Sequence, residues 1–148
     1  MKENPILPED IKIDYIDVVN TYVNDSNIDD HLDINFNIAH NTKHNLEDER
    51  IKIELFIDLL SESEKGVKFK IDFFYCIDKM SKYYTLNDEK TIPTFSSRFI
   101  MTLLGISYST ARGVIFQQLQ ETNFKNLILP VVAPSKILKS RINNERET

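Results

Sequence analysis

The amino-acid sequence predicts an α+β fold in which a four-stranded antiparallel sheet has one face covered by a long and a short C-terminal helix. Hydrophobic and polar residues alternate through most of the first half of the chain, as in strands that bury one face. After Thr94 the hydrophobic spacing becomes helical. The length of 148 residues suits one domain, whose core we place at roughly residues 11–140.

Three segments of the first half show the clearest alternation. In residues 51–59, Ile and Leu occupy the odd positions, whereas Lys52, Glu54 and Asp58 fall on the other face. The same two-residue period occurs in residues 32–38 and 67–77. Each segment is therefore predicted to be a strand with one buried and one solvated face.

A weaker first strand is predicted from Ile11 to Val23. Its alternation slips by one residue at Tyr15-Ile16, which indicates a β-bulge. Turn-forming or polar residues at 41–49 and 61–66 separate the later strands. Because the links are short, we expect the four strands to pair in sequence order as an antiparallel meander.

The second half begins with a crossover segment, residues 80–93, in which no regular period is visible. Helical spacing then runs from Thr94 to Glu121, with Gly105 as the place for a bend or break. A loop at residues 122–133 precedes a short helix that starts at Pro134, where a missing N–H costs nothing. Helices that follow four strands in this way are expected to cover the apolar face of the sheet.

Composition excludes several classes of protein. The net charge of −5 and the pI near 5.2 argue against general nucleic-acid binding. Cys76 is the one cysteine, so an internal disulfide is impossible and a reducing compartment is expected. We see no signal peptide and no apolar run of membrane-spanning length, so we expect a cytoplasmic protein without membrane insertion. Residues 1–10 and 141–148 are predicted to be flexible tails.

No catalytic motif stands out, so we expect neither an enzyme nor a bound cofactor. With three glycines in the chain, no phosphate-binding loop is present, and there is no nucleophile elbow or paired-carboxylate motif. Cys76 has no basic neighbour in sequence and is interpreted as a packed thiol rather than a nucleophile.

Three histidines lie close together in sequence, at His31, His40 and His44. Nearby asparagines favour a loop there, and no cysteine or carboxylate completes a ligand set, so we predict no metal site. An alternative interpretation is a small-ligand-binding α+β domain whose polar groups are these histidines and Arg112.

A segment of the second half resembles a known family. Its characteristic residues are Ile106, Tyr108, Ala111, Arg112, Ile115, Thr122, Phe124, Leu127, Leu129, Pro130, Val132, Ile137 and Leu138. This pattern is similar to the helix-to-loop region of SecB, the bacterial protein-export chaperone. With the preceding strands and crossover, the resemblance extends over roughly Tyr15 to Ser140.

The resemblance implies an ATP-independent chaperone that binds unfolded preproteins and keeps them translocation-competent. It further implies a homotetramer, assembled as a dimer of dimers with the long helix between dimers, and client grooves between the sheet and the helix-loop region. The translocase ATPase SecA is a partner of such proteins. The wider family also includes chaperones dedicated to toxin–antitoxin partners, and this alternative stays open.

A chaperone of this kind needs accessible, adaptable apolar surface. The residues that we expect to contact clients are Phe74, Met80, Tyr83, Tyr84, Leu86, Ile92, Phe95 and Phe124. The alternative for each is that it seals the domain core.

Other residues are candidates for contacts with partners. On the polar face of the sheet, Asp17, Glu54 and Asp58 are the candidates for SecA, although a solvated face would look much the same. Tyr108 and Arg112 are the candidates for an oligomer contact, while Arg112 also suits a surface arginine lying along its helix.

Overall fold

The computed structural model describes residues 4–27 and 33–142. The four long strands are β1 (Ile11–Asn24), β2 (Asn35–Asn45), β3 (Arg50–Leu60) and β4 (Gly66–Ile77). A hairpin of two short strands, β5 (Tyr84–Leu86) and β6 (Pro93–Phe95), leads into the helices α1 (Ser97–Gln118) and α2 (Pro134–Lys139). The predicted α+β class, with four antiparallel strands and a long and a short C-terminal helix, is confirmed.

The strand order is β1-β4-β3-β2, so the predicted meander is wrong. The hairpins β2–β3 and β3–β4 form as expected, but β1 pairs with β4 along the whole strand and not with β2. The two strands with the strictest apolar alternation, β3 and β4, take the central positions, where the apolar side chains that face the helices are almost fully buried. The more exposed β1 and β2 are left as edges.

The turn predicted at residues 41–49 is too long, because β2 continues to Asn45. Asn41 continues the strand because its side-chain amide donates to the Glu54 carboxylate on β3, at 2.9 Å. The turn is confined to residues 46–49, where the Asn45 side chain accepts from the Asp48 N–H and Glu49 has a φ of 54°. At the start of β2, Leu32 of the predicted strand lies outside the described residues.

The bulge predicted in β1 is confirmed. Its pairing with β4 shifts register between Ile13 and Tyr15, and a second shift follows between Val18 and Asn20. A bulge bends its strand and redirects side chains. Here the first shift places Tyr15 directly opposite Phe74 on the face of the sheet away from the helices.

The core lies between the sheet and α1. Phe99, Leu103 and Leu104 of the helix are fully buried, as are the inward-facing residues of β3 and β4. Tyr75 of β4 reaches across this interface, and its hydroxyl lies 2.7 Å from the Ser107 hydroxyl. Burial raises the pKa of Tyr75 to about 12, so it remains an uncharged core residue.

The helix does not break at Gly105, since α1 continues through it. A Cβ atom at this position would approach Pro134 Cγ at 3.3 Å. The absence of a side chain at Gly105 therefore allows α2 to pack closely against α1.

Two terminal segments contact the rest of the domain. Residues 140–142 lie along the outer edge of β2, where the Ile142 N–H donates to the His40 carbonyl at 2.7 Å and the His40 N–H donates to the Ser140 carbonyl at 3.4 Å. At the other end, Asp10 is buried and the Asn4 side chain donates to the Lys82 carbonyl at 2.8 Å. The described parts of both predicted tails are thus packed against the domain.

By length and composition, α1 is also apolar enough to span a membrane, and it is the one helix of that kind in residues 4–27 and 33–142. Of its most apolar stretch, 44% is buried inside the domain. This partial burial fits a helix that packs with one side against a sheet.

Candidate functional site

Four of the residues proposed for client binding come together on the β5–β6 hairpin. Tyr84 and Phe95 are opposite each other in register, with ring centroids 5.4 Å apart in an edge-to-face arrangement. Leu86 and Ile92 lie towards the tip and are 41% and 63% exposed. We call these four residues the crossover surface.

The hairpin tip is held by the Asn87 side chain. Its Oδ1 accepts hydrogen bonds from the backbone N–H groups of Thr91, at 2.8 Å, and Ile92, at 3.1 Å. The Asn87 N–H in turn donates to the Ile92 carbonyl. Ile92 therefore projects from a turn that these hydrogen bonds hold together.

A cavity lies on each side of the hairpin. The first, of about 470 Å³, is bordered by Tyr83, Tyr84 and Ser97; the second, of about 350 Å³, is bordered by β2, α2 and Ile100. Phe95 lines both cavities and packs 5.6 Å from the His44 ring. The crossover surface thus offers two recesses next to projecting apolar side chains, in the size range of ligand pockets.

Met80 and Tyr83, which were also proposed for client contact, are core residues. They are 1% and 2% exposed. Tyr83 stacks on Phe99 with centroids 4.4 Å apart, and its hydroxyl donates to Asp10 Oδ2 at 2.7 Å. We therefore correct their assignment: both residues support the hairpin from below and are not accessible on this chain.

Asp10 anchors this support. Its Oδ2 also accepts from Lys82 Nζ at 2.7 Å. Hydrogen bonds from Lys82 and Tyr83 lower the pKa of Asp10 below its usual value. The carboxylate is thus ionised at neutral pH, and it ties residues 7–10 to the start of the crossover.

The two other proposed client residues lie elsewhere. Phe124 is 6% exposed and belongs to the core beyond the end of α1. Phe74 is half-buried on the face of the sheet opposite the helices, next to Tyr15. Neither residue contributes to the crossover surface.

Two exposed residues in the loop after α1 were missed. Ile128 and Val131 are 67% and 84% exposed, whereas Leu129 between them is buried. Six successive apolar residues at 127–132 were the available signal. A continuous apolar run does not reveal which of its members face outward.

The acidic residues proposed for SecA do not form one patch. Asp17 and Glu54 share a cross-strand row through Asp72, but Asp58 lies two rows further along β3. Glu54 is only 6% exposed. Its carboxylate accepts from Asn41 at 2.9 Å and lies 3.1 Å from Lys70 Nζ.

Lysines cover Glu54. Lys43 and Lys52 each lie 3.5 Å from one of its carboxylate oxygens. Burial by itself would raise the pKa of Glu54, but hydrogen bonds from Asn41 and Lys70 and the charges of Lys52 and Lys70 lower it to about 2. Glu54 is therefore an ionised carboxylate beneath the surface, and its negative charge is balanced by the neighbouring lysines. It is not an exposed acid.

The two proposed oligomer residues differ in accessibility. Tyr108 is 3% exposed, donates its hydroxyl hydrogen bond to the Pro130 carbonyl and packs edge-on against Phe36. Its side chain is used within the chain. Arg112 is half-buried, and its Nε is buried without a hydrogen-bond partner among the residues that the structure describes.

Of the three histidines, His31 lies outside the described residues, and His40 and His44 share one face of β2 rather than a loop. His40 is fully buried, and burial lowers its pKa, so it is neutral. Its Nε2 and the Thr42 hydroxyl have no partner among residues 4–27 and 33–142. Over those same residues, no group of three His, Cys, Asp or Glu side chains is arranged to hold a metal ion.

Comparison with known proteins bears on the fold. The solved structures that match include a SecB-like chaperone of Mycobacterium tuberculosis in complex with a ChAD peptide from the HigA1 antitoxin. The TM-score is 0.59, and the match covers 84% of this chain and 91% of the other. The fold is SecB-like. At 11% sequence identity the likeness concerns the fold alone, and no protein-family model or curated protein sequence matches the chain.

The SecB-like fold accounts for the position of the sequence resemblance. The segment from Ile106 to Leu138 runs through α1, the loop after it and α2. Its apolar members Ala111, Ile115 and Ile137 are fully buried. The resemblance in this segment therefore rests largely on residues that pack the helices on the sheet. The crossover surface lies outside the segment.

Proposed function

We propose that this chain is the subunit of an ATP-independent chaperone that holds unfolded polypeptides against the crossover surface. The observation that carries the proposal is the projection of Ile92 and Leu86 from an ordered hairpin between two cavities, in a domain of SecB-like fold. Unfolded chains offer apolar side chains without a fixed shape, and projecting residues next to recesses suit such clients.

The energetics favour several weak contacts. Burying one client side chain the size of Leu or Phe contributes about 1.5–3 kcal/mol. One crossover surface has room for few such side chains, so a single site would bind weakly. In an oligomer, several sites on one long client would raise the apparent affinity by avidity.

We further propose that the chain forms a homo-oligomer. The β1 edge carries exposed apolar residues, including Val19 at 46%, and α1 exposes Phe116 at 44%. Near Phe116 on α1, a Cβ at Gly113 would meet no atom within 4 Å, so this helix has open space beside it. Arg112 is half-buried on the same helix, and its Nε lacks a hydrogen-bond partner within the described chain.

Between general export and a dedicated client, the dedicated client is better supported. The structural neighbour was solved with a peptide from an antitoxin. In addition, Glu54 lies beneath lysines, which weakens the case for an acidic SecA contact on this face. Binding of preproteins and of SecA remains a separate proposal that the same assays can test.

The test is suppression of aggregation. A chemically unfolded, reduced protein is diluted into buffer without nucleotide, with and without the chaperone, and light scattering is followed. We expect suppression by the wild type and at least a fivefold weaker effect for Ile92→Ser. Glu89→Ser, in the same exposed turn, is the matched control and should retain full activity.

The outcomes separate the alternatives. Suppression that survives Ile92→Ser and Leu86→Ser would show that clients bind elsewhere. No suppression by the wild type, combined with tight binding of one protein co-purified from the host, would establish a dedicated chaperone. Absence of both activities would overturn the proposal.

The oligomer proposal has its own test. Gly113→Leu adds a side chain at a position where a Cβ would meet no atom within 4 Å. We therefore expect the monomer to fold normally while the molecular mass, measured by light scattering after size exclusion, falls. An unchanged mass for this variant and for Phe116→Ser would show that α1 is not an interface.

A further inference from the structure

The face of the sheet opposite the helices is organised in cross-strand rows. Directly paired residues of an antiparallel sheet point to the same side, and successive rows lie about 7 Å apart. Two neighbouring rows near one end of the sheet are Lys12–Cys76–Arg50–Asn45 and Tyr15–Phe74–Lys52–Lys43. The next row is Asp17–Asp72–Glu54–Asn41.

The second row contains an exposed aromatic pair. Tyr15 is 58% exposed, and its ring centroid lies 5.7 Å from that of Phe74. Lys52 Nζ lies 5.3 Å from the Phe74 centroid, within the range of a cation–π contact. The bulge in β1 is what brings Tyr15 opposite Phe74 and so completes this pair.

A cavity of about 530 Å³ lies along these rows, and its lining includes side chains from all four long strands. Strands are spaced about 4.8 Å apart, so the row is about 14 Å from edge to edge, the length of about four extended residues. Because Tyr15 and Lys43 belong to the two edge strands, the cavity reaches both edges of the sheet. We call it the outer groove.

The charge of the outer groove differs from that of the protein. Its lining contains three cations, Lys43, Arg50 and Lys52, and one carboxylate, Asp14, which pairs with Arg50 at 2.8 Å. The protein as a whole has a net charge of −5. Of the three acids of the next row, Glu54 and Asp72 are 6% and 4% exposed and lie beneath lysines, whereas Asp17 at the β1 end is half-buried.

These lysines retain donors for a ligand. A lysine ammonium has three N–H groups. Lys43 directs one towards Glu54 at 3.5 Å, and its side chain is still 56% exposed. A carboxylate arriving from solvent would therefore find cations along one side of the groove and aromatic rings at the other end.

We propose that the outer groove binds an extended peptide segment of a partner protein in which acidic side chains lie next to an aromatic one. The aromatic side chain packs on Tyr15 and Phe74, and the carboxylates pair with Lys43 and Arg50. None of the four residues of the crossover surface lines the groove, and His44 is the residue that borders both the groove and the second cavity beside that surface. A partner and a client can thus be bound at the same time.

Anisotropy of peptides carrying an uncharged dye tests this on the full chain. The probe is a hexapeptide of alternating Asp and Phe, and the reference probe alternates Asn and Phe. We expect the Asp peptide to bind at least tenfold more tightly at low ionic strength. That preference should shrink in 0.5 M salt, because salt screens exposed charges.

Matched variants locate the site. Tyr15→Ser and Lys43→Gln are each expected to weaken binding of the Asp peptide by three- to tenfold. Tyr22→Ser and Lys68→Gln are the controls, since these residues form one row of the same face outside the groove. Circular dichroism checks that each variant is folded.

Three results would overturn the proposal. They are equal binding of the Asp and Asn peptides, equal losses from the control variants, and a loss with Ile92→Ser like that with Tyr15→Ser. The last result would place the peptide on the crossover surface. The proposal does not rest on chaperone activity, so it survives a failure of the aggregation assay.

Discussion

The crossover surface and the outer groove lie on opposite sides of the sheet, and each is built above a buried carboxylate. Under the crossover surface, Asp10 accepts from Lys82 and Tyr83. Beside the outer groove, Glu54 is held by Asn41 and surrounded by lysines. In both places we expect substitution of an accessible residue to cost less stability than substitution of the buried carboxylate beneath it.

The two supports differ in number of partners. Asp10 has one lysine and one tyrosine, whereas Glu54 has one asparagine and three lysines. Removing Glu54 therefore leaves more positive charges without a carboxylate partner than weakening the contacts of Asp10 does. This difference sets the order of the expected effects on stability.

The largest effect is expected for Glu54→Ala. It removes the carboxylate that Lys43 pairs with and leaves Lys52 and Lys70 with Asp72 as their remaining buried carboxylate. Breaking a buried ion-pair network from one side typically costs about 3–5 kcal/mol, and we expect about 3 kcal/mol here. Urea unfolding measures it, with the half-buried Asp58→Ala as control, where we expect a change below about 0.5 kcal/mol. A loss below 1 kcal/mol for Glu54→Ala would contradict this account of the network.

We expect low pH to reduce the stability of the protein through protonation of Glu54. The folded-state pKa of Glu54, about 2, lies below its usual value of 4.5. A depressed pKa contributes stability that is present above pH 4.5 and is lost as the pH falls towards 2. We expect the urea midpoint of the wild type to fall more steeply across this window than that of Glu54→Gln. Parallel pH profiles would show that other carboxylates dominate.

A smaller effect is expected for Tyr83→Phe. The substitution keeps the stacking on Phe99 but removes the hydrogen bond to Asp10. Hydrogen bonds to charged groups contribute about 1.5–3 kcal/mol, so we expect a loss of about 2 kcal/mol in urea unfolding. Tyr84→Phe is the control and should be nearly neutral. Since Tyr83 is buried, Tyr83→Phe should leave client holding unchanged at temperatures where the variant is folded.

The smallest effect on stability is expected for Ile92→Ser. Ile92 is 63% exposed, and surface substitutions usually change stability by less than about 0.5 kcal/mol. If Ile92→Ser loses client holding but keeps its stability, Ile92 belongs to the client-binding surface and not to the residues that support the fold. A large loss of stability would instead assign Ile92 a structural role within the hairpin.

The sequence predicted the central part of the fold well. Strict alternation in β3 and β4 identifies both strands and the faces that they bury, because every second residue is apolar. Strand order was not predictable in the same way. Alternation tells which face of β1 is buried but not which strand lies beside it, and its pairing with β4 follows from the packing of the whole sheet.

The site was predicted less completely, for a related reason. Met80 and Ile92 are both apolar residues of the crossover, yet one is 1% and the other 63% exposed. No local pattern separates them, since the difference depends on where the hairpin lies against α1. Phe74 lies on the polar face of its strand, as the alternation predicted, but its neighbour Tyr15 comes from a distant segment.

The contact of residues 140–142 with β2 has a consequence for how copies of this chain can add to one another. At His40, the free side of β2 is already hydrogen-bonded to its own chain. Along β1, the described residues place no strand on the free side. The bridge at His40 obstructs the middle of the β2 edge, so β1 is the more open edge for pairing with another strand. If pairing is restricted to β1, two copies would form a closed twofold pair rather than an open-ended fibre.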